Sequence, residues 1–583
     1  MSMVEPNLKA RYDATHSPGA VHVVGDVGLD ANQRGGQILS VPADRVIHAK
    51  DSRPGCGDEV SSPLWKDGGS LGTAQAVEAA AALTARAEAR RVSALQTVSV
   101  GQQASLGQFF TPERAAALIA DLPRLPETGR FHVLDPGAGS GSLAAALAAR
   151  VLRERPALEL EIVAVEIDPE VGRYLQATLT DLAETARVVG VRVATEIVLG
   201  DYVELSTSLM TTPAALDRPF DLVIMNPPYR KLGLNSVYRR ALLHEGVECP
   251  NLYAAFIALG ATALDPGGQL VAITPRSFTN GPYFGQFRRF LLDRLSLDRL
   301  HIFESRSTVF SDTGVLQENV VFSATRQGSN DKVILSVSRG HARESIERVV
   351  GYSDVVCPGD RYRFIRILVD NSDTVIAEMM AALPAILPDL NVQVSTGKVV
   401  DFRARDNLRK LPESGSVPLI YPGNLRSGIV EWPREIRKDQ GFALRSEGEQ
   451  KKFLLPSGFY VVVKRFSAKE ERRRVVAAVW DPGRNASSVA FENHLNIFHA
   501  NSAGLDRDLA VGLSYWLNSS IVDTFFRTFS GHTQVNAMDL RTLRFPPLDA
   551  LRALGYGQEM LLPIQDEIDR LVMGIISVMD GAT

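Results

Sequence analysis

At 583 residues the chain is too long for one hydrophobic core, so two or more domains are expected. With 45% apolar and 22% charged residues it has an ordinary globular composition, and a net charge of −4 means that any nucleic-acid surface must be a local patch. Three widely spaced cysteines without a Cys-x-x-Cys pair indicate neither a disulfide framework nor a metal site. The opening Met-Ser-Met-Val-Glu-Pro is not a secretory signal, and the longest apolar stretch, Leu252 to Leu264, is too short to span a membrane, so a cytoplasmic protein is expected.

Residues 1–72 are rich in Gly, Asp, Ser and Pro and read as an irregular or disordered arm. Residues 73–98 are alanine-rich and read as a helix, with 73–104 forming an N-terminal helical segment. Such a helix either packs on the next domain or reaches for a nucleic acid. From 105 to 330 short apolar runs alternate with amphipathic stretches. Strands are expected at 131–134, 161–165, 193–199, 220–225, 269–273, 297–303 and 318–324, and helices at 141–153, 169–189, 251–264 and 283–293. That alternation predicts an α/β fold with a doubly wound, mostly parallel sheet. Residues 331–583 change character to period-2 patterning with longer loops, a mixed α+β region closed by a helix over 565–579. Between Lys398 and Trp480 eighteen Lys/Arg stand against ten Asp/Glu. Basic residues interleaved with Tyr421, Trp432, Phe453, Tyr460 and Phe466 fit a nucleic-acid surface or a solvated basic face.

The chemistry concentrates at expected strand ends. Asp135-Pro136-Gly137-Ala138-Gly139-Ser140-Gly141 lies between a strand and a helix, where glycines let a ligand approach the backbone. Ser142-Leu143 follows, which excludes a P-loop but leaves other nucleotide-like ligands open. Glu166 ends the second strand and suits ribose hydroxyls. Asp201, beside Tyr202, ends the third and suits an adenine amino group; either carboxylate could instead cap a helix. Asn226-Pro227-Pro228-Tyr229 ends the fourth. It offers an amide, a carbonyl without a competing local N–H and an aromatic face, a set that holds a planar NH2 group for attack on an electrophile.

These segments in this order, with Phe110-Thr111-Pro112 upstream, resemble the S-adenosylmethionine-dependent amino-methyltransferases. With the large region that follows, they resemble the gamma group of DNA adenine-N6 methyltransferases, the TaqI- and PstI-type modification enzymes. The resemblance implies S-adenosylmethionine as cofactor, held by Phe110, Thr111, Asp135, Pro136, Gly137, Gly139, Glu166, Asp201, Tyr202 and Asn226. It implies an adenine flipped out of double-stranded DNA onto Asn226, Pro227, Pro228 and Tyr229. Phe322 lies where the family places a second stacking aromatic, although a core phenylalanine fits that position equally.

The likeness continues through Phe459–Phe466, Phe491–Asn496 and Gly531–Asn536, which are similar to the latter part of PstI-like methylases and to the end of target-recognition domains. Lys464, Arg465, Asn493, His494, His532, Gln534 and Asn536 are therefore candidate DNA-binding residues, against the plainer readings of a buried polar network or a solvated helix face. The implied partners are DNA and a separately encoded restriction endonuclease, with monomer and dimer both open. Methylation of ribosomal RNA bases or of a glutamine amide in release factors would use the same tetrapeptide but not the extra 250 or so residues. A non-catalytic DNA-binding specificity protein would have no use for the cofactor set, and no nuclease pattern marks a bifunctional enzyme.

Overall fold

The computed structural model describes residues 73–98, 110–303, 318–338, 345–410, 415–467, 471–483, 487–530 and 533–580. The expected arm over 1–72 and the candidate His532 lie outside these residues.

Nine strands form the first sheet: β1 (Gly129–Pro136), β2 (Leu158–Glu166), β3 (Arg192–Leu199), β4 (Phe220–Met225), β5 (Leu264–Pro275), β6 (Leu295–Phe303), β7 (Asn319–Arg326), β8 (Lys332–Ser338) and β9 (Ser345–Gly351). Their order is β3-β2-β1-β4-β5-β7-β6-β8-β9. The five strands from β3 to β5 run parallel, and β7 lies antiparallel between β5 and β6. The chain winds outward from β1 to β3 and returns across β1 to β4, so the winding direction switches between β1 and β4. Open α/β sheets bind ligands outside the carboxyl ends of the strands at such a switch. The sheet also runs past residue 330, where a domain boundary was expected. β8 pairs in parallel with β6 and antiparallel with β9, so the pairing continues to Gly351.

Central strands flanked by helices read as continuous apolar runs, and β4 is buried along nearly its whole length. The helix Thr73–Thr97 takes the packed alternative: Ala80, Leu83 and Ala87 join the core of the helix Ser142–Glu154, while Arg86 and Arg90 pair with Asp181. The helix Pro169–Val188 starts at Asp168, whose side chain accepts from the Glu170 N–H, with Pro169 at the first turn. The apolar run 252–264 is the core helix Leu252–Ala263, capped by Asn251. No described helix is long and apolar enough to cross a membrane.

Beyond Gly351 a six-stranded sheet includes β10 (Gln393–Thr396), β11 (Tyr460–Lys464), β12 (Ala477–Trp480) and β13 (Leu495–His499); a five-stranded sheet lies beside it. A helical core follows, built on Arg507–Leu517, Ser520–Phe529 and Leu548–Gly555, with Gln565–Asp580 closing the chain. The period-2 reading of this half captures the sheets and misses those three helices.

The two halves meet along a buried polar seam. Arg276, just past β5, binds the Glu318 carboxylate at 2.8 Å and donates to the carbonyls of Arg527 and Thr528. Ile367 N–H reaches the same Thr528 carbonyl at 2.7 Å, and Ile365 N–H reaches Thr279.

Candidate active site

Four strand ends converge at the switch point. The β1–β2 and β2–β3 registers place Pro136 opposite Val165 and Glu166 opposite Leu199, so the acidic ends lie at one level. A cleft open to solvent is lined there by Phe110, Thr111, Gly137, Gly139, Glu166, Asp201, Tyr202, Asn226 and Pro228, all expected at the site, together with Arg230, Leu252 and Phe256.

The glycine loop is shaped by its residues. Gly137, Gly139 and Gly141 all have positive φ, at 81°, 57° and 87°. A Cβ on Gly139 would sit 3.3 Å from the Phe110 ring, and one on Gly137 would sit 3.2 Å from Phe256. The two glycines therefore keep backbone at the cleft floor between two aromatic walls. Gly137 and Ala138 donate to the Val165 carbonyl, and Gly139 N–H donates to Glu166 Oε2 at 2.9 Å.

Glu166 is buried, and its other oxygen accepts from the Asp168 N–H. Burial pushes its carboxyl up to about 7 despite those backbone donors. Asp135 and Pro136 lie beneath the loop rather than along the cleft. Asp135 is fully buried, neither carboxylate oxygen has a hydrogen-bond partner, and burial plus the neighbouring Glu166 push it up to about 8. The unfolded chain would ionise Asp135 near 3.8. The folded state therefore holds this proton more tightly, and that stabilisation is lost as pH rises through about 8. Asp135→Asn should raise the melting temperature at pH 8.5 relative to pH 5 and flatten that part of the profile. A variant profile parallel to wild type would show that Asp135 does not titrate in this range.

Asp201 does cap a helix: Oδ1 accepts from the N–H groups of Val203 and Glu204. Its Oδ2 accepts from the Tyr238 hydroxyl at 2.6 Å. The Tyr202 ring packs on Phe256, centroids 5.1 Å apart. Asn226 is fixed at both ends: its amide nitrogen donates to Thr111 Oγ1 at 3.0 Å, and its Oδ1 accepts from the Tyr229 hydroxyl at 3.2 Å. The Phe110-Thr111 segment and the tetrapeptide, 115 positions apart, are thus one constellation. Tyr229 packs edge-on to Tyr253, which stacks on Phe284 at 5.5 Å.

Phe322 is not part of this site. It lies mid-strand in β7, opposite Ala272 and Leu300, with no exposed surface, and packs on Phe278. Its ring is enclosed by core side chains packed on that face of the sheet, Phe278 among them, which leaves no face for a base. Sequence reasoning also passed over Tyr238, Phe256 and Arg230. Arg230 directly follows the tetrapeptide, Phe256 was absorbed into an apolar run, and Tyr238, on the helix Val237–His244, carried no local signal.

In the second half, Lys464, Arg465, Asn493, His494 and Gln534 come together at one end of the six-stranded sheet. Arg465 N–H donates to the His494 carbonyl, its guanidinium donates to the Asn493 carbonyl, and Phe466 bridges Gln534. Lys464 pairs with Glu471 at 2.9 Å, and His494 Nδ1 lies 2.5 Å from Glu492. Asn536 is engaged in a capping box with Asp539, a structural duty. Tyr421 and Tyr460 are buried and offer no stacking face.

The cleft fits the expected cofactor. Two aromatic walls flank a glycine floor that side chains would obstruct, with the acidic strand ends Glu166 and Asp201 along the same cleft. Residues 201–310 match the Eco57I restriction-modification methylase family. The chain is 40% identical to the type II methyltransferase M.BsuBI of Bacillus subtilis, across 78% of this chain and 90% of that protein. It is 36% identical to the type II methyltransferase M.PstI of Providencia stuartii, across 84% of this chain and 96% of that one. A release factor glutamine methyltransferase of Koribacter versatilis is 31% identical over 118 residues, 20% of this chain and 34% of that protein. A cofactor cleft at the switch point, a tetrapeptide beside it and relatives aligned along nearly their whole length lead to one conclusion: the chain belongs to the type II restriction-modification methyltransferases, S-adenosylmethionine-dependent DNA adenine methyltransferases.

Proposed function

We propose that this protein methylates N6 of an adenine flipped out of a specific sequence in double-stranded DNA. The observation that carries this reading is the doubly held Asn226 amide at the lip of the cleft. Bound S-adenosylmethionine supplies an electrophilic methyl group on a sulfonium. Gly137, Gly139, Phe110, Phe256 and Tyr202 would enclose it, Glu166 would take the ribose hydroxyls and Asp201 the adenine amine.

The N6 amine of adenine is a weak nucleophile because its lone pair is delocalised into the ring. Asn226 Oδ1 and the Pro227 carbonyl can each accept one N6 hydrogen, which localises the lone pair and stabilises charge developing on nitrogen. Thr111 and Tyr229 hold the amide so that its oxygen faces the base, so the acceptor needs no reorganisation during transfer. The Tyr229 ring would also support the flipped base. Attack requires no prior deprotonation, so no general base is assigned.

From Asn371 onward the chain would read the DNA, with Lys464, Arg465, Asn493, His494 and Gln534 on the contact face and a separately encoded endonuclease as cognate partner. The protein incubated with isotopically methyl-labelled cofactor should transfer label to duplex DNA as N6-methyladenine. Label in ribosomal RNA or in a release-factor glutamine, with none in DNA, would reverse the reading.

Tyr238 belongs to the cofactor site as a positioning residue, since its hydroxyl orients Asp201 Oδ2. Tyr238→Phe should weaken cofactor binding by about tenfold, the lower end of what one lost hydrogen bond to a charged group is worth, with the maximal methylation rate retained. Tighter binding by calorimetry would mean that the hydroxyl occupies the place of the ligand's amine.

A further inference from the structure

Three large aromatic side chains are exposed among the described residues: Tyr283, Phe402 and Tyr556. Tyr556 follows the helix Leu548–Gly555 in the helical core of the second half, and Phe402 lies beside Arg403 in the same half. Tyr283 differs in its support. It sits in the short 3-10 turn Pro282–Phe284 just after β5, the neighbour of β4, and is 78% exposed.

The turn that carries it is braced from below. Fully buried Arg288 donates to the carbonyls of Phe278, Gly281 and Tyr362, at 3.0, 2.8 and 3.1 Å. Phe284, the next residue, stacks on Tyr253, and Tyr253 meets Tyr229 edge-on. A chain of three packed rings thus connects the base of Tyr283 to the catalytic tetrapeptide.

The ring also stands at the boundary with the candidate DNA face. The segment that precedes it is tied through Arg276 to the carbonyls of Arg527 and Thr528, a few residues before Gln534. Gln534 in turn is bridged to Phe466, and Val535 N–H bonds to the Arg465 carbonyl. Arg465 itself lies within electrostatic reach of Tyr283. A duplex gripped by Arg465 and its neighbours, with its target base at Tyr229, would pass over this turn.

Removing a base from the stack leaves a gap, and inserted side chains with planar or apolar faces are the general means of holding such a gap open. We propose that Tyr283 enters the DNA stack at the target base pair and holds the place that the flipped adenine leaves. The proposal rests on the adenine-N6 reading above. The ring does the work, so Phe serves in its place and Ala does not.

The test uses the full-length protein and duplexes carrying its recognition sequence, with 2-aminopurine at the target position to report flipping and adenine there to report methyl transfer. Each duplex is made with thymine or with an abasic site opposite the target. Tyr283→Ala should lose the rise in 2-aminopurine emission on the paired duplex and methylate it about tenfold or more slowly, with cofactor affinity and melting temperature unchanged. The abasic duplex should restore both signals to within about threefold of wild type, because less stacking and pairing must be broken. Tyr283→Phe should behave as wild type on both. Normal flipping by Tyr283→Ala, an equal defect on both duplexes, or a Phe variant as impaired as Ala would each overturn the proposal. Failure of the wild-type protein to methylate any duplex would instead overturn the functional reading on which it rests.

Discussion

Asn226→Ala should abolish methyl transfer while leaving the cofactor site nearly intact. The substitution removes the one acceptor whose orientation is fixed by two side chains, Thr111 and Tyr229. The Pro227 carbonyl remains, so the N6 amine keeps one acceptor and loses the other. Loss of a single preorganised polar group aimed at developing charge typically lowers kcat by about 10²–10³. Single-turnover transfer should fall by at least that factor, whereas the calorimetric Kd for the cofactor should stay within about threefold, since aromatic walls, glycine floor and acidic residues are untouched. A variant that turns over within tenfold of wild type would remove Asn226 from the chemistry. Tyr229→Phe should give a smaller loss, because the ring remains and only the hydroxyl that holds the amide is gone.

Arg276→Ala should be the most destabilising single change considered. Arg276 and Glu318 are both nearly excluded from solvent, and the guanidinium also serves two carbonyls at the end of the helix Ser520–Phe529. Deleting it leaves the Glu318 carboxylate buried without this cation, a loss of about 3–5 kcal/mol for buried pairs. Replacing both residues by apolar ones, Arg276→Met with Glu318→Leu, should recover much of that loss, because an apolar pair creates no stranded charge. Urea unfolding of the three proteins measures this directly. If the double variant is no more stable than Arg276→Ala, the carbonyls rather than the carboxylate set the cost. The same seam explains why truncation at residue 330 would be a poor test of domain independence. It would remove β8 and β9 from the first sheet along with the helix that Arg276 grips.

Most of the first sheet was legible because its strands and helices are buried by one rule, short apolar runs between amphipathic segments. β4 has the bounds its apolar run predicted, and the helix Leu252–Ala263 differs by one residue at each end. The cofactor set was legible for a related reason: Glu166, Asp201 and Asn226 each mark the place where an apolar strand stops. Tertiary pairing was not legible. β8 and β9 have no local signature that assigns them to the first sheet instead of the second. Tyr238 meets Asp201 only because the turn after the tetrapeptide folds back over the third strand end. Phe322 shows the same limit from the other side. Its spacing suited a base-stacking role, but the core side chains packed on that face of the sheet bury it. In the second half the helix Arg507–Leu517 is buried over most of its surface, so an amphipathic stripe does not set it apart, whereas Ser520–Phe529 carries a stripe of Ile521, Val522, Phe525, Phe526 and Phe529 at helical spacing that the period-2 reading passed over. Asn536 likewise carries the right side chain for reading a base, yet its capping box gives it local work.

The central claim is that one adenine in one DNA sequence is the substrate. Sequencing that detects modified bases, applied to DNA from cells that express the protein and from cells that express Asn226→Ala, tests this most directly. The expected result is N6-methyladenine at nearly every copy of a single short sequence with the wild-type protein and at none with the variant. Methyl groups on cytosine, methyladenine scattered without a common sequence, or identical patterns from the two proteins would contradict it.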